Sequence, residues 1–500
     1  MSRLVRNIGY NVAGQLTLLV LGFVSARFVF AQLGRDVLGI IYFALMVNTI
    51  VVAVLELGIT TTTVKEVSAN QHKDPAYVVR IVRSGAFFYW AGYALAAVVV
   101  IVAAPWFVDR WIELETISPG TAIDLLRILG VSALLSLPQA FYVSVLRGVQ
   151  RMGIPNSVDV VTSVVQQVGI IAIISVSRDV HWVAWWIASV YVLRVAIYVL
   201  VIAKLFDRRA IVPALDLEVV RRNRAFASRM IAVSAFAMVH IQADKVLIST
   251  LLPVSSIGIY GLLYGTLARG AILTSGVAQG AFPALSELAR SGDRDELIRL
   301  YHRLHDLLCY GLVPLFALLA FTTFPVFRAV LDAEIAAGLV VPAGLLALGF
   351  YLNGTLTIPY YLSLAIDRPD IAARQNFVAL FTTLPVTMLL TWQFGFAGAA
   401  GAWVWYQMFA YAYSMSRVCR ECIGIPPRQW FVHILRVFLL VACTYGVAAT
   451  IVALTAPRST AALLAAYAGA TIVFAVAAWR TMAADSRSAA LRVMRKALGR

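Results

Sequence analysis

Val190-Tyr191-Val192-Leu193-Arg194-Val195-Ala196-Ile197-Tyr198-Val199-Leu200 places a single guanidinium inside sequence that is otherwise fit for lipid. Extended to 183–203, the stretch reaches the roughly 20 apolar residues that a membrane-crossing helix needs. A charge at the centre of such a span costs at least about 2.5–3.5 kcal/mol, so it faces a cavity or a partner. The pattern recurs at Arg27, Lys245 and Arg269, each inside its own apolar stretch. Several cations with few buried acids point to a central chamber that receives something anionic.

The rest of the chain supports the membrane reading. Of 500 residues, 61% are hydrophobic and 13% charged, far from the composition of a soluble domain. Apolar runs predict fourteen spans, near 7–31, 37–60, 84–106, 122–146, 157–177, 183–203, 230–252, 256–281, 304–326, 338–364, 376–393, 397–415, 431–455 and 461–479. The expected fold is therefore an all-α polytopic membrane protein with both termini on one side. With the N-terminus cytoplasmic, inside segments hold 31 of the 41 Lys and Arg and outside loops hold five, a strong positive-inside asymmetry. The net charge of +16 follows from that topology and from attraction to anionic lipid, so nucleic acid is not an expected partner. Arg3 and Arg6 before an apolar run, with Val24-Ser25-Ala26 beyond, imitate a signal peptide, but the apolar stretch resumes after Arg27. Trp106, Trp111, Trp182, Trp185 and Trp186 cluster at expected outer ends, as an aromatic belt does.

Corresponding residues repeat at a near-constant offset. Leu33 and Leu251, Gly39 and Gly258, Pro138 and Pro359, and Asn156 and Asn376 are separated by 218 to 221 positions. Six spans fit between the starts of the two halves, so the repeats are parallel. The expected organisation is a six-helix lobe over 1–203, a basic cytoplasmic linker over 204–229 and a second six-helix lobe over 230–420. An extra transmembrane pair over 421–480 and a basic cytoplasmic tail over 481–500 follow. Arg221, Arg222, Arg224 and Arg229 in the linker are read as a solvated, lipid-touching face.

Polar residues inside spans are the candidate site. Tyr191, Arg194 and Tyr198 share one helical face, and an Arg fork beside aromatic rings suits phosphate and sugar. Gln242, Lys245 and Ser249 form a stripe in the seventh span, with His240 and Asp244 on the next. Lys245 either holds an anion, with Asp244 tuning it or binding a coupling ion, or is simply neutralised by Asp244. Arg269, preceded by Tyr260 and Tyr264, is the cation of the eighth span, and Arg27 lies near the outer end of the first, where it can snorkel. Glu56 and Asp159 sit near cytoplasmic ends and read as structural, Glu56 remaining a candidate coupling group. Cys419-Arg420-Glu421-Cys422 reads as two helix-end thiols, and His302-Arg303-Leu304-His305 as a solvated helix face; no metal or cofactor is expected. No Gly-rich phosphate loop precedes any of the five lysines, which excludes P-loop ATP hydrolysis. The outside loops are short, whereas a membrane glycosyltransferase needs acidic groups in longer ones. Asp109, Glu113, Glu115 and Asp124, the one outside acid cluster, read as a solvated loop. An enzyme is therefore not expected.

Short signatures add a family resemblance over nearly the whole chain. Asn11 and Gln15, Leu33-Gly34 followed by Gly39, Leu55-Glu56-Leu57-Gly58, Arg147-Gly148-Val149-Gln150-Arg151, Asp244-Lys245 and Ile257-Gly258-Ile259-Tyr260 carry it. They resemble the multidrug/oligosaccharidyl-lipid/polysaccharide exporter superfamily, in particular its polysaccharide-biosynthesis (Wzx-type) flippases. The resemblance implies that a polyprenyl-diphosphate oligosaccharide crosses from the cytoplasmic to the outer leaflet of the bacterial inner membrane, for O-antigen, capsule or exopolysaccharide assembly. One half rocks against the other to give alternating access. On that reading Arg194, Lys245, Arg269 and Arg27 meet the diphosphate, and Tyr191, Tyr198 and Tyr264 meet sugar faces. Membrane lipids are partners, as are a polymerase and chain-length regulator of the same pathway. The alternatives are a lipid-linked peptidoglycan-precursor flippase and a cation-coupled drug exporter, the latter expected to have an acid-dominated chamber.

Overall fold

A computed structural model describes residues 2–55, 59–71, 73–206, 208–221, 242–455, 459–483, 485 and 487–488. Helices begin where short polar side chains cap free amides. Asp74 accepts from the Tyr77 amide at 2.9 Å ahead of Pro75, and Ser118 accepts from the Thr121 amide at 3.2 Å ahead of Pro119. Among the described residues there is no strand. Ten helical segments among them are long and apolar enough to cross a membrane. The chain is an all-α, polytopic membrane protein.

Contacts divide the chain into Met1–Gly261 and Leu262–Arg500. The first unit holds α1 (Ser2–Leu33), α2 (Arg35–Leu55), α3 (Ile59–Asn70), α4 (Pro75–Arg110), α5 (Pro119–Ala133), α6 (Ser136–Gly148), α7 (Gly153–Val176) and α8 (Val180–Phe206). A ninth helix, α9 (242–251), and the first half of α10 (Val254–Ala268) complete it. Its core gathers Tyr77, Ile81 and Tyr89 of α4, Phe141 and Tyr142 of α6, and Tyr198 and Ile202 of α8. The expected span 122–146 lies within one apolar segment, Pro119–Gly148, in which a tight turn at Leu134-Leu135 separates α5 from α6.

The described part of the linker does not lie free on a surface. Residues 208–220 pack on α4: Ala210 and Val219 join the core, Arg83 Nε donates to the Val212 carbonyl at 3.1 Å, and the Asp216 amide donates to Ser84 Oγ at 3.2 Å. Arg222, Arg224, Arg229 and His240 lie outside the described residues, as does Glu56.

The second unit continues α10 and adds α11 (Gly270–Ser291), α12 (Arg294–Arg328), α13 (Ala333–Gly338), α14 (Val340–Ala365), α15 (Asp370–Ala410), α16 (Pro427–Val441), α17 (Val447–Thr455) and α18 (Thr460–Thr481). The two adjacent spans expected at 376–393 and 397–415 form one element that reverses at Gly395, whose φ of +53° and ψ of −126° exclude ordinary side chains. A Cβ on Gly398 would lie 1.8 Å from the Leu390 carbonyl oxygen, so the turn needs a second glycine there. The C-terminal helices are anchored rather than appended, since the Tyr467 hydroxyl donates to the Pro314 carbonyl of α12 at 3.1 Å.

Apolar side chains such as Leu95, Val98 and Val102 on α4, and Ile472 and Val473 on α18, point outward, as lipid contact requires. Trp106, Trp182 and Trp185 are exposed as a belt demands. Trp111 and Trp186 are not free: Trp111 Nε1 donates to Ser249 Oγ at 3.0 Å, and Trp186 donates to the Gln166 carbonyl at 3.2 Å while its ring fills the space above Gly169.

Candidate functional site

Arg194 is half-buried on α8, while Val192, Leu193 and Leu200 of the same helix are exposed. Its Nε donates to Thr162 Oγ1 of α7 at 2.8 Å, and its NH2 group reaches Ser163 Oγ at 3.4 Å. The Thr162 hydroxyl proton goes to the Val158 carbonyl of its own helix at 2.7 Å, which frees the oxygen to accept from Arg194. Tyr191 lies under the guanidinium, 5.6 Å from ring centroid to carbon. Hydroxyls and a ring face orient the cation and leave its charge in place. Among the described residues no carboxylate lies within ion-pair distance of Arg194.

Tyr198 departs from its expected role at a sugar face. It is fully buried, and its hydroxyl donates to Asp159 Oδ1 at 3.0 Å. Gln139 Nε2 donates to the same oxygen at 3.2 Å, so Asp159 joins α6, α7 and α8.

Lys245 is held differently. Its Nζ sits 3.1 Å from Asp244 Oδ1, which also accepts the Lys245 amide at 2.8 Å. Asp244 Oδ2 accepts from the Tyr260 hydroxyl of α10 at 2.9 Å, and both Asp244 and Tyr260 are buried. The acid and base neutralise each other, one of the two readings the sequence left open. The Gln242 Oε1 beside them is buried with no hydrogen-bond partner among the described residues.

The other candidate cations are more accessible. Arg27 is exposed on α1, whereas Arg269 is half-buried at the break between α10 and α11 in the second unit. Tyr264, also in that unit, packs edge-on against Phe350 with centroids 5.2 Å apart.

Sequence reasoning missed the residues that tie the loop ends of the first unit together. Asp36 is fully buried, and its Oδ2 accepts the amides of Glu115 (2.8 Å), Thr116 (2.6 Å) and Ile117 (3.3 Å). The Glu113 carbonyl accepts the Val254 amide at 3.1 Å, and Glu115 Oε2 accepts from Ser255 Oγ at 3.2 Å. The 113–115 segment is thus more than a solvated loop: it holds the first turn of α10. There the repeat-related glycines meet. A Cβ on Gly39 would stand 2.2 Å from the Val254 carbonyl oxygen, and one on Gly258 would stand 2.8 Å from the Gly39 nitrogen. Asp36, in the first turn of α2 just after the left-handed Gly34, was the available signal.

Residues 4–289 match the family described as "Polysaccharide biosynthesis protein". No curated protein matches the chain by sequence. Among solved structures, the lipid II flippase MurJ in an inward closed conformation is similar, with a TM-score of 0.71 at 12% identity, covering 94% of this chain and 99% of that one. An inward-facing multidrug-resistance MATE transporter of the MOP superfamily gives 0.67 at 12% identity, covering 80% of this chain and 94% of that one. A MOP superfamily transporter from Pyrococcus furiosus, whose binding pocket is described as reversed in polarity, gives 0.57 at 13% identity, with 84% and 95% covered. At these identities the likeness is one of fold.

Proposed function

Because this chain belongs to the polysaccharide biosynthesis protein family, we propose that it is a flippase. It carries a polyprenyl-diphosphate-linked oligosaccharide from the cytoplasmic to the outer leaflet of the inner membrane, supplying a surface polysaccharide such as O-antigen, capsule or exopolysaccharide. It makes and breaks no bond in its substrate. The physical barrier is twofold: a sugar head loses its hydration in hydrocarbon, and a diphosphate is an anion there. A hydrated interior with an uncompensated cation lowers both.

The observation that carries the reading is Arg194. Its guanidinium, inside a lipid-crossing helix, is aimed by two neutral hydroxyls and an aromatic ring, with no described carboxylate beside it. A cation needed only for packing would be expected beside a carboxylate, as Lys245 is. Arg27 and Arg269 are secondary phosphate contacts on this account, and Tyr191 and Tyr264 offer ring faces to sugar. Lys245 is a weaker contact than the sequence suggested. The test is flipping of a fluorescent polyprenyl-diphosphate oligosaccharide in proteoliposomes. Arg194→Ala is expected to lower the rate at least tenfold at unchanged reconstitution, and an unchanged rate sinks the assignment.

A further inference from the structure

A second buried polar cluster lies in the Leu262–Arg500 unit, where α16 crosses α12. His305 and Cys309 are one turn apart on α12, and His433 comes from α16. The expectation of a solvated face at 302–305 holds for His302, which is exposed, and fails for His305, which is 2% exposed. Cys309 is fully buried, and Asp306 between them is 6% exposed. One ligand atom from each of His305, Cys309 and His433 lies within 4.8 Å of the others. We propose that these three side chains bind a zinc-class metal ion that staples α16, and the helices after it, to α12.

The distances fit such an ion. A thiolate at about 2.3 Å and an imidazole nitrogen at about 2.05 Å on one tetrahedral centre stand about 3.6 Å apart. Cys309 Sγ is 3.6 Å from each ring nitrogen of His305, so it sits beside the ring, and the imidazole has to turn to bring one nitrogen's lone pair onto the shared ion. Two imidazoles on the same centre have ring centroids about 5–5.5 Å apart, and those of His305 and His433 are 5.7 Å apart. Asp306 Oδ1 stands 3.2 Å from His433 Nε2, too oblique for a hydrogen bond as placed. A small ring rotation makes it the carboxylate that orients a metal-bound histidine, with Nδ1 as the ligand. Thiolate and imidazole donors select zinc or a similar late metal over magnesium or calcium.

One neighbour must move. Trp430 Nε1 donates to His305 Nε2 at 3.1 Å. A neutral imidazole bound through one nitrogen carries its proton on the other, so the indole loses that acceptor whichever nitrogen binds. Binding releases the Cys309 thiol proton to solvent and displaces the Trp430 hydrogen bond.

The experiment uses the full chain in detergent, stripped with chelator and titrated with cobalt(II) as a spectroscopic probe for zinc. The expected result is one equivalent per chain with a thiolate-to-cobalt charge-transfer band that zinc abolishes. Cys309→Ser loses the band, His433→Gln weakens binding at least tenfold, and Trp430→Phe binds severalfold tighter because no hydrogen bond has to break. Cys443→Ser, at an exposed thiol, leaves the titration unchanged. His433→Gln tests the site at its partly exposed ligand, independently of packing around Cys309. A native chain without the band, or a Cys309→Ser or His433→Gln chain that titrates like the native one, overturns the proposal.

Discussion

Arg194 and Lys245 face the same problem, a cation in an apolar helix, and solve it in opposite ways. Arg194 is steered by Thr162, Ser163 and Tyr191, while Lys245 is answered by its neighbour Asp244. Removing the Lys245 side chain therefore leaves a buried carboxylate supported by the residue 245 amide and the Tyr260 hydroxyl, with no opposite charge from Lys245. Breaking a buried pair from one side costs about 3–5 kcal/mol. Lys245→Met is expected to lower the unfolding temperature markedly, and adding Asp244→Asn should restore most of it; a double variant no more stable than the single one would show that the two groups do not act as a pair. Asp36 makes a comparable bet with one oxygen on three amides. Asp36→Asn removes the charge from those bonds and should cost about 1–3 kcal/mol, read as a lower midpoint in thermal unfolding.

Elements were legible in proportion to how strictly lipid dictates them. Apolar length located the long lipid-crossing helices, ten of which stand among the described residues, because a backbone in hydrocarbon must bond to itself. Hydropathy says nothing about turns inside an apolar run, so the turn between α5 and α6 within the single segment Pro119–Gly148 left no mark, while the reversal at Gly395 falls between two expected spans. Gly39 and Gly258, which the sequence offset pairs, approach each other so closely that neither leaves room for a side chain. Partners across helices were not legible: Asp159 with Tyr198, Trp111 with Ser249, and His433 with His305 are far apart in sequence, and no period connects them. Gly395→Ala should destabilise the turn between the two halves of α15 by about 1–3 kcal/mol, since its φ of +53° suits glycine alone. An unchanged unfolding midpoint would mean that the reversal is not held in that conformation. Gly39→Val places a branched side chain against the Val254 carbonyl and should pry the start of α10 from α2. A single cysteine replacing Ser255, in a chain without its four native cysteines, would then label faster from solution than in the Gly39 background.

At the scale of the whole molecule, charge, fold and family are the grounds of the proposal that this chain moves an anionic, sugar-bearing lipid. The family match over 4–289 and the fold shared with a lipid II flippase and a MATE transporter leave the substrate to be settled by chemistry. Cation distribution predicts that residue 73 faces the cytoplasm and residue 178 faces outward. Reporters fused at those two points should give opposite signals. The most direct measurement compares three proteins in proteoliposomes: native, Arg194→Ala and Arg194→Lys. Each is offered a fluorescent polyprenyl-diphosphate oligosaccharide and, separately, the same lipid bearing a neutral linkage in place of the diphosphate. The account predicts that the native chain flips the diphosphate at least tenfold faster than Arg194→Ala, that lysine rescues part of the rate, and that the neutral lipid shows no dependence on Arg194. Equal rates for native and Arg194→Ala on the diphosphate lipid would contradict it.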